Sequence, residues 1–499
     1  MNTTSDIGHR HSLPASGLKP ASEAKALLVR VIVPAENAAS PALQLLASCL
    51  INLLARQVGS VREVQIACPA TPTVVALPMP TVSSSLPEAL CDLGTWATGG
   101  EIPVGPADKL AEADVCIYVG TAPVGATADA IVAVGHGWRA WVGAPEHAPS
   151  VDMSGEGGLG PFMAAALAAG EVFKRSRGLV RGRYFDRCGV SLWTMRDALD
   201  WADLEDGPPI VGTSLPPAEL VGAGAVGQAL LYALRSCQLA DSQFAAIDND
   251  KHDETNLNRC FLAGEEDVDE RKVDAASRVS GGGLNVQSFF GDWNAFVRGP
   301  RPGIAPVIDR AVADLEYPLV LSCVDRGVSR HQIQSVWPTL ILAGRTTNLV
   351  AFADVFRNAA GSACLACHNP AEKDGARIQE LRAKLGAMSP DDLRTYLRDT
   401  GVEPEAIEAE LRRPTCGSVG ETQINEIATG RQPEFSVGFV SLAAGVMLAA
   451  NLLRATCYTA ASAPPAGMVS FSFLHGRFDH AELSIDHECG LNCTLARQL

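Results

Sequence analysis

A glycine-rich turn in the second half of the chain constrains the fold more than any other feature. Residues 220–227 read Leu-Val-Gly-Ala-Gly-Ala-Val-Gly, and Asp248 ends the next apolar run. In such a strand-to-helix turn, Gly222 allows the tight bend, Gly224 lets a phosphate approach the backbone and Gly227 allows close helix packing, while Asp248 can accept from a ribose hydroxyl. The pattern predicts a nucleotide site without distinguishing ATP from NAD. A glycine turn without a ligand is the alternative.

The segments around this turn alternate between strand-like and helix-like patterns. We expect strands at 218–221, 244–247, 286–290, 319–323 and 340–343, and helices at 226–236, 271–279 and 328–337. This alternation predicts an α/β fold with a parallel sheet. A charged helical insertion at 381–413, a long apolar helix at 434–458 and two terminal strands at 468–485 complete the second half.

The first half also has an α/β pattern, beginning with a strand, a helix and a strand over 25–67. Because no glycine-rich turn follows a strand there, we expect an α/β domain over 25–206 that has lost any nucleotide site, after a disordered N-terminus at 1–24. A proline-rich linker at 207–217 leads to the active domain at 218–499, with an insertion at about 371–433. The sequence Leu-Ala-Ala-Gly occurs at 167–170 and again at 442–445, which hints that the halves are related.

Composition excludes several classes of protein. A chain of 499 residues with 47% hydrophobic and 19% charged residues is long and apolar enough for roughly two or three folded domains. The formal charge of −16 argues against nucleic acid as a partner. The start of the chain is polar and carries no secretory signal pattern, and the most apolar window, 437–453, falls short of a membrane span. We therefore expect a cytoplasmic protein with a buried helix at 437–453 and no membrane contact.

Polar and charged residues follow the strand that ends at residue 248. Asp250 comes two positions later, Asn256 and Arg259 belong to an Asn-Leu-Asn-Arg run, and Lys272 opens a helix. Such groups suit a triphosphate, because charge must be neutralised at the phosphate under attack. Asp325 ends a later strand at the carboxyl edge of the sheet, where it could hold Mg²⁺. These residues favour ATP over NAD.

Two close pairs of cysteines lie at the two ends of the second domain, Cys364 with Cys367 and Cys489 with Cys493. Four thiolates suit a tetrahedral zinc ion. Because the pairs are far apart in the sequence, spacing alone leaves buried thiols without a metal as an equal alternative. The chain has 14 cysteines and no export signal, so disulfides are not expected.

Cys416 lies in a loop marked by Pro414 and Gly417, after the charged insertion. The neighbouring Arg412 and Arg413 favour the thiolate, and a loop leaves it accessible, which are the two conditions for a nucleophilic cysteine. An incidental loop cysteine is the alternative. Cys260, beside Arg259, is a competitor, but a thiol there would lie in the nucleotide site.

These motifs together resemble the adenylation domain of the ThiF/MoeB superfamily, which includes the ubiquitin-activating enzymes. The resemblance covers about residue 216 to the C-terminus and implies a Rossmann-like adenylation fold, preceded here by a degenerate α/β domain. It also implies that acidic residues bind ribose and metal while Asn, Arg and Lys side chains hold ATP phosphates, roles carried here by Asp248, Asp250, Asn256, Arg259, Lys272 and Asp325. Two positions depart from the family pattern, Cys260 in place of Gln and Arg326 in place of Asn.

The resemblance implies a function for the remaining motifs. It favours a structural zinc on Cys364, Cys367, Cys489 and Cys493, and it assigns to Cys416 the thioester of ubiquitin-type activating enzymes. ATP and Mg²⁺ would serve the adenylation of the C-terminal glycine of a ubiquitin-like protein, and a conjugating enzyme would receive the thioester. A homodimer is compatible with this reading. An inactive half fused to a half with a catalytic cysteine is similar to activating enzymes of bacterial ubiquitin-like conjugation operons, some of which serve phage defence.

Three other functions remain open. An enzyme of the same fold could adenylate a sulfur-carrier protein for thiamin or molybdopterin synthesis, without a transfer thioester. An NAD-dependent oxidoreductase would leave Arg259, Lys272 and Asp325 without a role. A non-catalytic scaffold predicts no ATP turnover.

The basic turn at 181–187 faintly resembles the segment that carries an arginine from a neighbouring domain into the ATP site in this family. A solvated turn is the favoured interpretation.

Overall fold

The computed structural model describes most of the chain, in several stretches. These are 18–107, 112–179 without 124, 128 and 156, 184–298, 319–399 without 360 and 370–373, 404–412, 435–458, and 463–491 without 488 and 490, together with Ile7, Arg10, Gln423, Ile424, Ile427 and Ala428.

The first half builds one eight-stranded mixed sheet. Its elements are β1 (Leu27–Ile32), α1 (Pro41–Leu54), β2 (Val61–Ala67), α2 (Leu86–Thr98), β3 (Val104–Pro106), β4 (Val115–Val119), β5 (Ile131–His136), β6 (Arg139–Gly143), α3 (Gly160–Ser176), β7 (Arg187–Ser191) and β8 (Arg196–Ala198). The strand order is β3-β2-β1-β4-β5-β6-β7-β8. The pairs from β3 to β5 are parallel, and the pairs from β5 to β8 are antiparallel.

The second half repeats this architecture. Its elements are β9 (Ala218–Val221), α4 (Ala225–Arg235), β10 (Ser242–Asp248), α5 (Lys272–Ser277), β11 (Leu284–Phe290), α6 (Trp293–Arg298), β12 (Leu319–Ser322), α7 (Gly327–Gln334), β13 (Leu340–Thr347), β14 (Val350–Arg357), α8 (Asp374–Gly386), α9 (Pro390–Asp399), α10 (Pro404–Arg412), α11 (Gly438–Thr456), β15 (Gly467–Ser472) and β16 (Arg477–Ala481). The order β11-β10-β9-β12-β13-β14-β15-β16 matches that of the first sheet strand for strand.

The second sheet combines a parallel part, which the sequence predicts, with an antiparallel edge. The five strands from β11 to β13 are parallel, as the alternation of strands and helices predicts, but β14, β15 and β16 add antiparallel pairs. The strand Val350–Arg357 was not among the expected strands. It follows β13 through a two-residue turn in which Asn348 takes a positive φ of 51°, so it forms a hairpin rather than a crossover.

The halves meet through helices that share one apolar core. Helix α3 packs on α1, α11 packs on α4, and α3 and α11 pack on each other. The repeated Leu-Ala-Ala-Gly sequences lie in α3 and α11, but a Cβ at Gly170 would meet Phe473 and Phe439 of the other half, whereas Gly445 faces α4 of its own half. A Cβ at Gly445 would lie 2.6 Å from the Cβ of Ala229, so the glycine of the second copy allows α11 to approach α4 closely. The core runs through both halves without a break.

Helix α11 is, in the described part of the chain, the one helix long and apolar enough to cross a membrane by length and composition alone. Of its most apolar window, 89% is buried inside the protein. Its apolar character is therefore accounted for by the core between the halves, as expected for the window 437–453.

The described residues of the N-terminal segment differ from the expected disorder. A short 3-10 helix forms at Ala21–Glu23, and Arg177 donates to the carbonyl of Lys19 over 2.9 Å. Ile7 is buried against the core, and the carbonyl of Arg10 accepts from the amide of Ser436 at 3.2 Å. Ile7, Arg10 and Lys19 thus contact the folded part of the chain.

Candidate functional site

The glycine-rich turn joins the end of β9 to the start of α4 and opens toward a cavity. Gly222 has φ +97°, and a Cβ there would lie 2.6 Å from the carbonyl oxygen of Cys323 on the neighbouring chain segment. A Cβ at Gly227 would lie 2.2 Å from the carbonyl oxygen of Gly222, so this glycine allows the helix to pack on its own turn. Among the described residues, nothing outside the adjoining residues and the backbone of its own helix lies within 4 Å of a Cβ placed at Gly224, the N-cap of α4. The backbone at Gly224 is therefore open to a ligand.

Asp248 ties the end of β10 to this turn. One carboxylate oxygen accepts from the amide of Ala223 at 2.7 Å and the other from the amide of Asp250 at 2.8 Å. Burial raises the pKa of Asp248, while nearby Lys272 opposes that shift. Each oxygen keeps a lone pair for a further donor such as a ribose hydroxyl.

Lys272 begins α5 and reaches back to the same strand end. Its ammonium donates to Asp250 over 3.0 Å. Burial lowers the pKa of Lys272, but Asp248 and Asp250 outweigh burial and raise it above its ordinary value. A lysine held charged between two acids, at the edge of a cavity, is suited to an anionic ligand.

The Asn-Leu-Asn-Arg run forms a tight turn between β10 and α5. Asp253 caps it by accepting from the amide of Asn256 at 3.1 Å, and the amide of Cys260 donates to the carbonyl of Asn256 over 2.9 Å. Arg259 donates to the carbonyl of Thr255 over 2.6 Å and to the side chain of Asn258 over 2.7 Å. We call residues 254–263 the phosphate loop. The loop fixes Asn256 and Arg259 on the cavity wall.

These elements surround one cavity of about 590 Å³ at the carboxyl ends of the parallel strands. The structure brings eight of the nine residues expected to bind nucleotide or magnesium to its wall. They are Gly222, Gly224, Asp248, Asp250, Asn256, Arg259, Lys272 and Asp325. Gly227 is not on the wall and serves helix packing. Asp325 is exposed at the mouth, just after β12.

Several wall residues were not expected from the sequence. Arg10 reaches the cavity from the N-terminal segment, and Trp293 and Arg345 line it beside Phe435 and Ser436. Trp293 follows β11, so the rule that ligands lie at carboxyl ends of parallel strands could have found it. No local pattern marks Arg10, because its placement depends on a backbone hydrogen bond to Ser436.

Three of the four expected zinc ligands lie together. The sulfur of Cys364 is 3.6 Å from that of Cys367 and 3.6 Å from that of Cys489, and all three thiols are buried. Tetrahedral Zn²⁺ with bonds of about 2.3 Å to sulfur needs sulfur atoms about 3.8 Å apart, so this set fits the ion. Cys493 lies outside the described residues.

Cys416 and Arg413 also lie outside the described residues, as do 181–183 of the basic turn. The insertion before Cys416 is described in part. Helices α8, α9 and α10 pack around a small core of their own, and Arg412 at the end of α10 pairs with Glu408 at 3.0 Å.

Cys260 is buried on the cavity wall, and burial raises the pKa of its thiol, so this thiol is not activated.

The matching place in the first half is filled by the chain itself. Ser40 caps α1 and its hydroxyl donates to the carbonyl of Met153. Met153 is fully buried in an apolar cluster with Ala42 and Trp141, and a Cβ at Gly157 would touch Leu45 of α1. Met153 and Gly157 thus lie against the start of α1, the helix that corresponds to α4 of the second half.

Two family models match separate parts of the chain. The model of the ThiF family matches residues 218–491, and that of the BilD N-terminal domain matches 28–192. The bacterial E1-like protein BilD of Collimonas sp. (strain OK412) is 24% identical over 333 residues, which are 64% of this chain and 61% of that protein. The chain thus spans less than two thirds of the length of this relative.

Solved structures of E. coli MccB are also similar. One with ATP is 12% identical, covering 56% of this chain and 66% of that one with a TM-score of 0.35. Another MccB structure is 14% identical, covering 56% and 65% with a TM-score of 0.35. The mixed α/β sheet, its glycine turn and the family match over more than half of its length show that this chain belongs to the ThiF family.

Proposed function

We propose that this chain is an ATP-dependent activating enzyme for a ubiquitin-like protein. The observation that carries the proposal is the cavity, which gathers the glycine turn, two acids of the β10 end, the phosphate loop and Lys272 on one wall. The similarity to a bacterial E1-like protein supports the kind of partner. The reaction would take place in the cytoplasm and deliver the modifier to a conjugating enzyme.

In the first step, the C-terminal carboxylate of the modifier attacks the α-phosphorus of ATP, the bond to the leaving pyrophosphate breaks, and an acyl-adenylate forms. The open backbone at Gly224 suits a phosphate, and Asp248 suits the ribose. Arg259 and Lys272 would offset the charge that grows on the phosphates, with Arg10 as a third cation on the wall. Asp325 would hold Mg²⁺, which fits an exposed carboxylate at the mouth.

In the second step, the Cys416 thiolate attacks the carbonyl carbon of the adenylate, AMP leaves, and a thioester forms. Helices α8, α9 and α10, which precede Cys416 in the sequence, pack around a small core of their own. The buried Cys260 thiol is a poor competitor, since burial disfavours its thiolate.

The cysteine cluster would hold a structural zinc, with Cys493 as the fourth ligand. The three described thiols have the spacing that the ion needs, and they join the segment after β14 to the segment after β16. The first domain would act without nucleotide, because its own chain covers the equivalent helix start.

Intact-protein mass spectrometry tests the proposal directly. The enzyme is incubated with ATP, Mg²⁺ and a ubiquitin-like protein encoded beside it, and masses are read with and without a thiol reductant. We expect an adduct of one modifier that the reductant removes, present in wild type and in the control Cys91→Ala and absent from Cys416→Ala. Cys91 is a suitable control because it lies in α2 of the first half.

Two other outcomes would contradict this proposal. Adenylate formation in wild type and Cys416→Ala alike, with no thioester in either, supports the sulfur-carrier function instead. An adduct that survives in Cys416→Ala but not in Cys260→Ala would move the nucleophile into the nucleotide cavity.

A further inference from the structure

A fully buried arginine of the first half extends into the second half beneath the phosphate loop. Arg56 lies just after α1 and has no exposed surface. Its guanidinium donates to the carbonyl of Leu257 over 2.6 Å and to the carbonyl of Ala263 over 2.9 Å. The first carbonyl lies within the loop and the second at its end, so one planar group joins Leu257 to Ala263 across the second part of the loop.

Other first-half residues add to this contact. Asn52 accepts from the Nε of Arg56 at 2.7 Å, which orients the guanidinium, and donates to the carbonyl of Phe261 over 3.3 Å. The indole of Trp96 on α2 lies 5.8 Å from the guanidinium carbon and donates to Glu266 over 3.1 Å. Together Asn52, Arg56 and Trp96 form what we call the first-half clamp.

Arg56 remains a cation in this setting. Burial lowers its pKa to about 10, with the nearby Cys260 and Asp267 opposing the shift, so the group stays protonated at neutral pH. In the described part of the chain its hydrogen bonds go to uncharged oxygens, one side-chain amide and two main-chain carbonyls. A buried guanidinium raises the free energy of the folded protein unless all of its hydrogen bonds are made. Loop conformations that move either carbonyl away from Arg56 are therefore disfavoured.

The clamped carbonyls are immediate neighbours of the proposed ATP ligands. Leu257 follows Asn256 directly, and Arg259 lies between the two anchor points. The loop also has hydrogen bonds of its own, such as that from the Cys260 amide to the Asn256 carbonyl. Because these bonds hold the loop backbone together, fixing Leu257 and Ala263 also fixes the positions of the Asn256 and Arg259 side chains. A loop displaced by about 1 Å at such a place can cost a reaction about 100-fold.

We propose that Arg56, with Asn52, is a positioning residue that holds the phosphate loop of the other half in its nucleotide-binding shape. The inference rests on the proposed function, since it assigns to Arg56 a part in ATP binding by that site. It also gives the first half a task that needs no nucleotide of its own. Arg56 touches no substrate atom and acts only through the loop.

Equilibrium binding of Mg·ATP to the full-length protein tests this. Arg56→Met removes the cation and keeps the volume, and Arg56→Lys keeps a charge that can reach one carbonyl but not both. Gln57→Met is the matched control, because Gln57 is the adjacent buried residue and donates to Ala169 within the first half, not to the loop. We expect the Kd to rise about 10- to 100-fold in Arg56→Met, less in Arg56→Lys, and under about 2-fold in Gln57→Met.

A double-mutant cycle with Arg259→Ala separates positioning from general stability. If Arg56 acts through the loop, Arg56→Met should add little to the loss already caused by Arg259→Ala. Losses that multiply in the double variant would overturn the inference, as would a folded Arg56→Met that binds Mg·ATP like Gln57→Met. If Arg56→Met does not fold, an Arg56→Lys variant that binds Mg·ATP with the wild-type Kd would overturn the inference.

The outcomes also separate this inference from the proposed function. Wild-type protein that binds Mg·ATP but forms no thioester with any ubiquitin-like protein contradicts the function and leaves the binding test valid. Thioester formation in wild type together with unchanged binding in the Arg56 variants contradicts the inference alone. Wild-type protein that binds no Mg·ATP contradicts both.

Discussion

Two glycines of the nucleotide turn have different roles. One allows the turn to fold, and the other leaves space beside the backbone. Gly222 has a positive φ and faces the carbonyl of Cys323, whereas Gly224 has an ordinary φ and faces open space. A side chain at Gly222 therefore disturbs the contact between β9 and the residues that follow β12. A side chain at Gly224 meets only a ligand.

We expect Gly222→Ala to lower the thermal midpoint and Gly224→Ala to leave it unchanged. The first variant combines a strained φ with a Cβ 2.6 Å from a carbonyl oxygen, for a cost of about 1–3 kcal/mol or more. The second should weaken Mg·ATP binding, because the methyl group fills the space for a phosphate. Calorimetric melting and nucleotide titration measure the two effects, and wild-type affinity in Gly224→Ala would contradict the phosphate position.

At the scale of elements, the cysteine cluster links two segments that no strand pairing joins. Cys364 is the residue before the short helix Leu365–His368 that follows β14, Cys367 lies inside that helix, and Cys489 follows β16. The cluster joins the segment after β16 to the segment after β14, beside a hydrogen bond of 2.8 Å between the His368 ring and the carbonyl of Ser484 and the packing of Leu483 against the core.

Removal of zinc should release this attachment. We expect about one zinc per chain by metal analysis and a lower thermal midpoint after chelation, since metal binding to a structural site contributes folding free energy. Cys364→Ala should lose both the metal and the response to chelator, whereas Cys457→Ala, at the end of α11, should keep both. Metal-free purified protein with an unaltered midpoint contradicts a zinc site.

Elements with strong local patterns could be predicted from the sequence, and contacts between distant segments could not. The strand Ala218–Val221 matches its expected bounds, and α4, Ala225–Arg235, matches the expected helix at 226–236 closely, because apolar runs and helix starts are local signals. At the antiparallel edge of the sheet, the two terminal strands were expected, and only the strand Val350–Arg357 was missed, because it comes directly after a hairpin turn. Among cavity residues, the turn and the loop were foreseeable, but Arg10 was not. Its contact joins residues that lie far apart in the sequence.

Across the whole molecule, the two central helices are equivalent in position but not in chemistry. Helix α3 carries the buried ion pair of Glu171 and Lys174, and Lys174 donates to the carbonyl of Phe473 over 3.1 Å, across the boundary between the halves. The backbone amide of Phe185 donates to the same glutamate over 3.1 Å. At the matching places, counted from the Leu-Ala-Ala-Gly sequences, α11 has Val446 and Ala449.

We expect Lys174→Met to destabilise the protein by about 3–5 kcal/mol, because it leaves the Glu171 carboxyl buried without its cation. The double variant with Glu171→Leu should recover part of that loss, since no buried charge is left unpaired, while the Phe185 amide and the Phe473 carbonyl still lose these partners. Denaturant midpoints of the single and double variants measure the difference. Equal losses in both would mean that the ion pair itself is not the source of the effect.

The repeated strand order of the two sheets has a consequence for how such a protein can change. In a dimer of identical chains every substitution appears twice, once on each side of the interface, and must suit both places. Here the two halves are encoded by different parts of one sequence, so a substitution in one half leaves the other half unchanged. A residue such as Arg56 can be adjusted to support the neighbouring loop while its counterpart in the second half is free to take another form. Joining the halves in one polypeptide therefore lets one specialise in chemistry and the other in support.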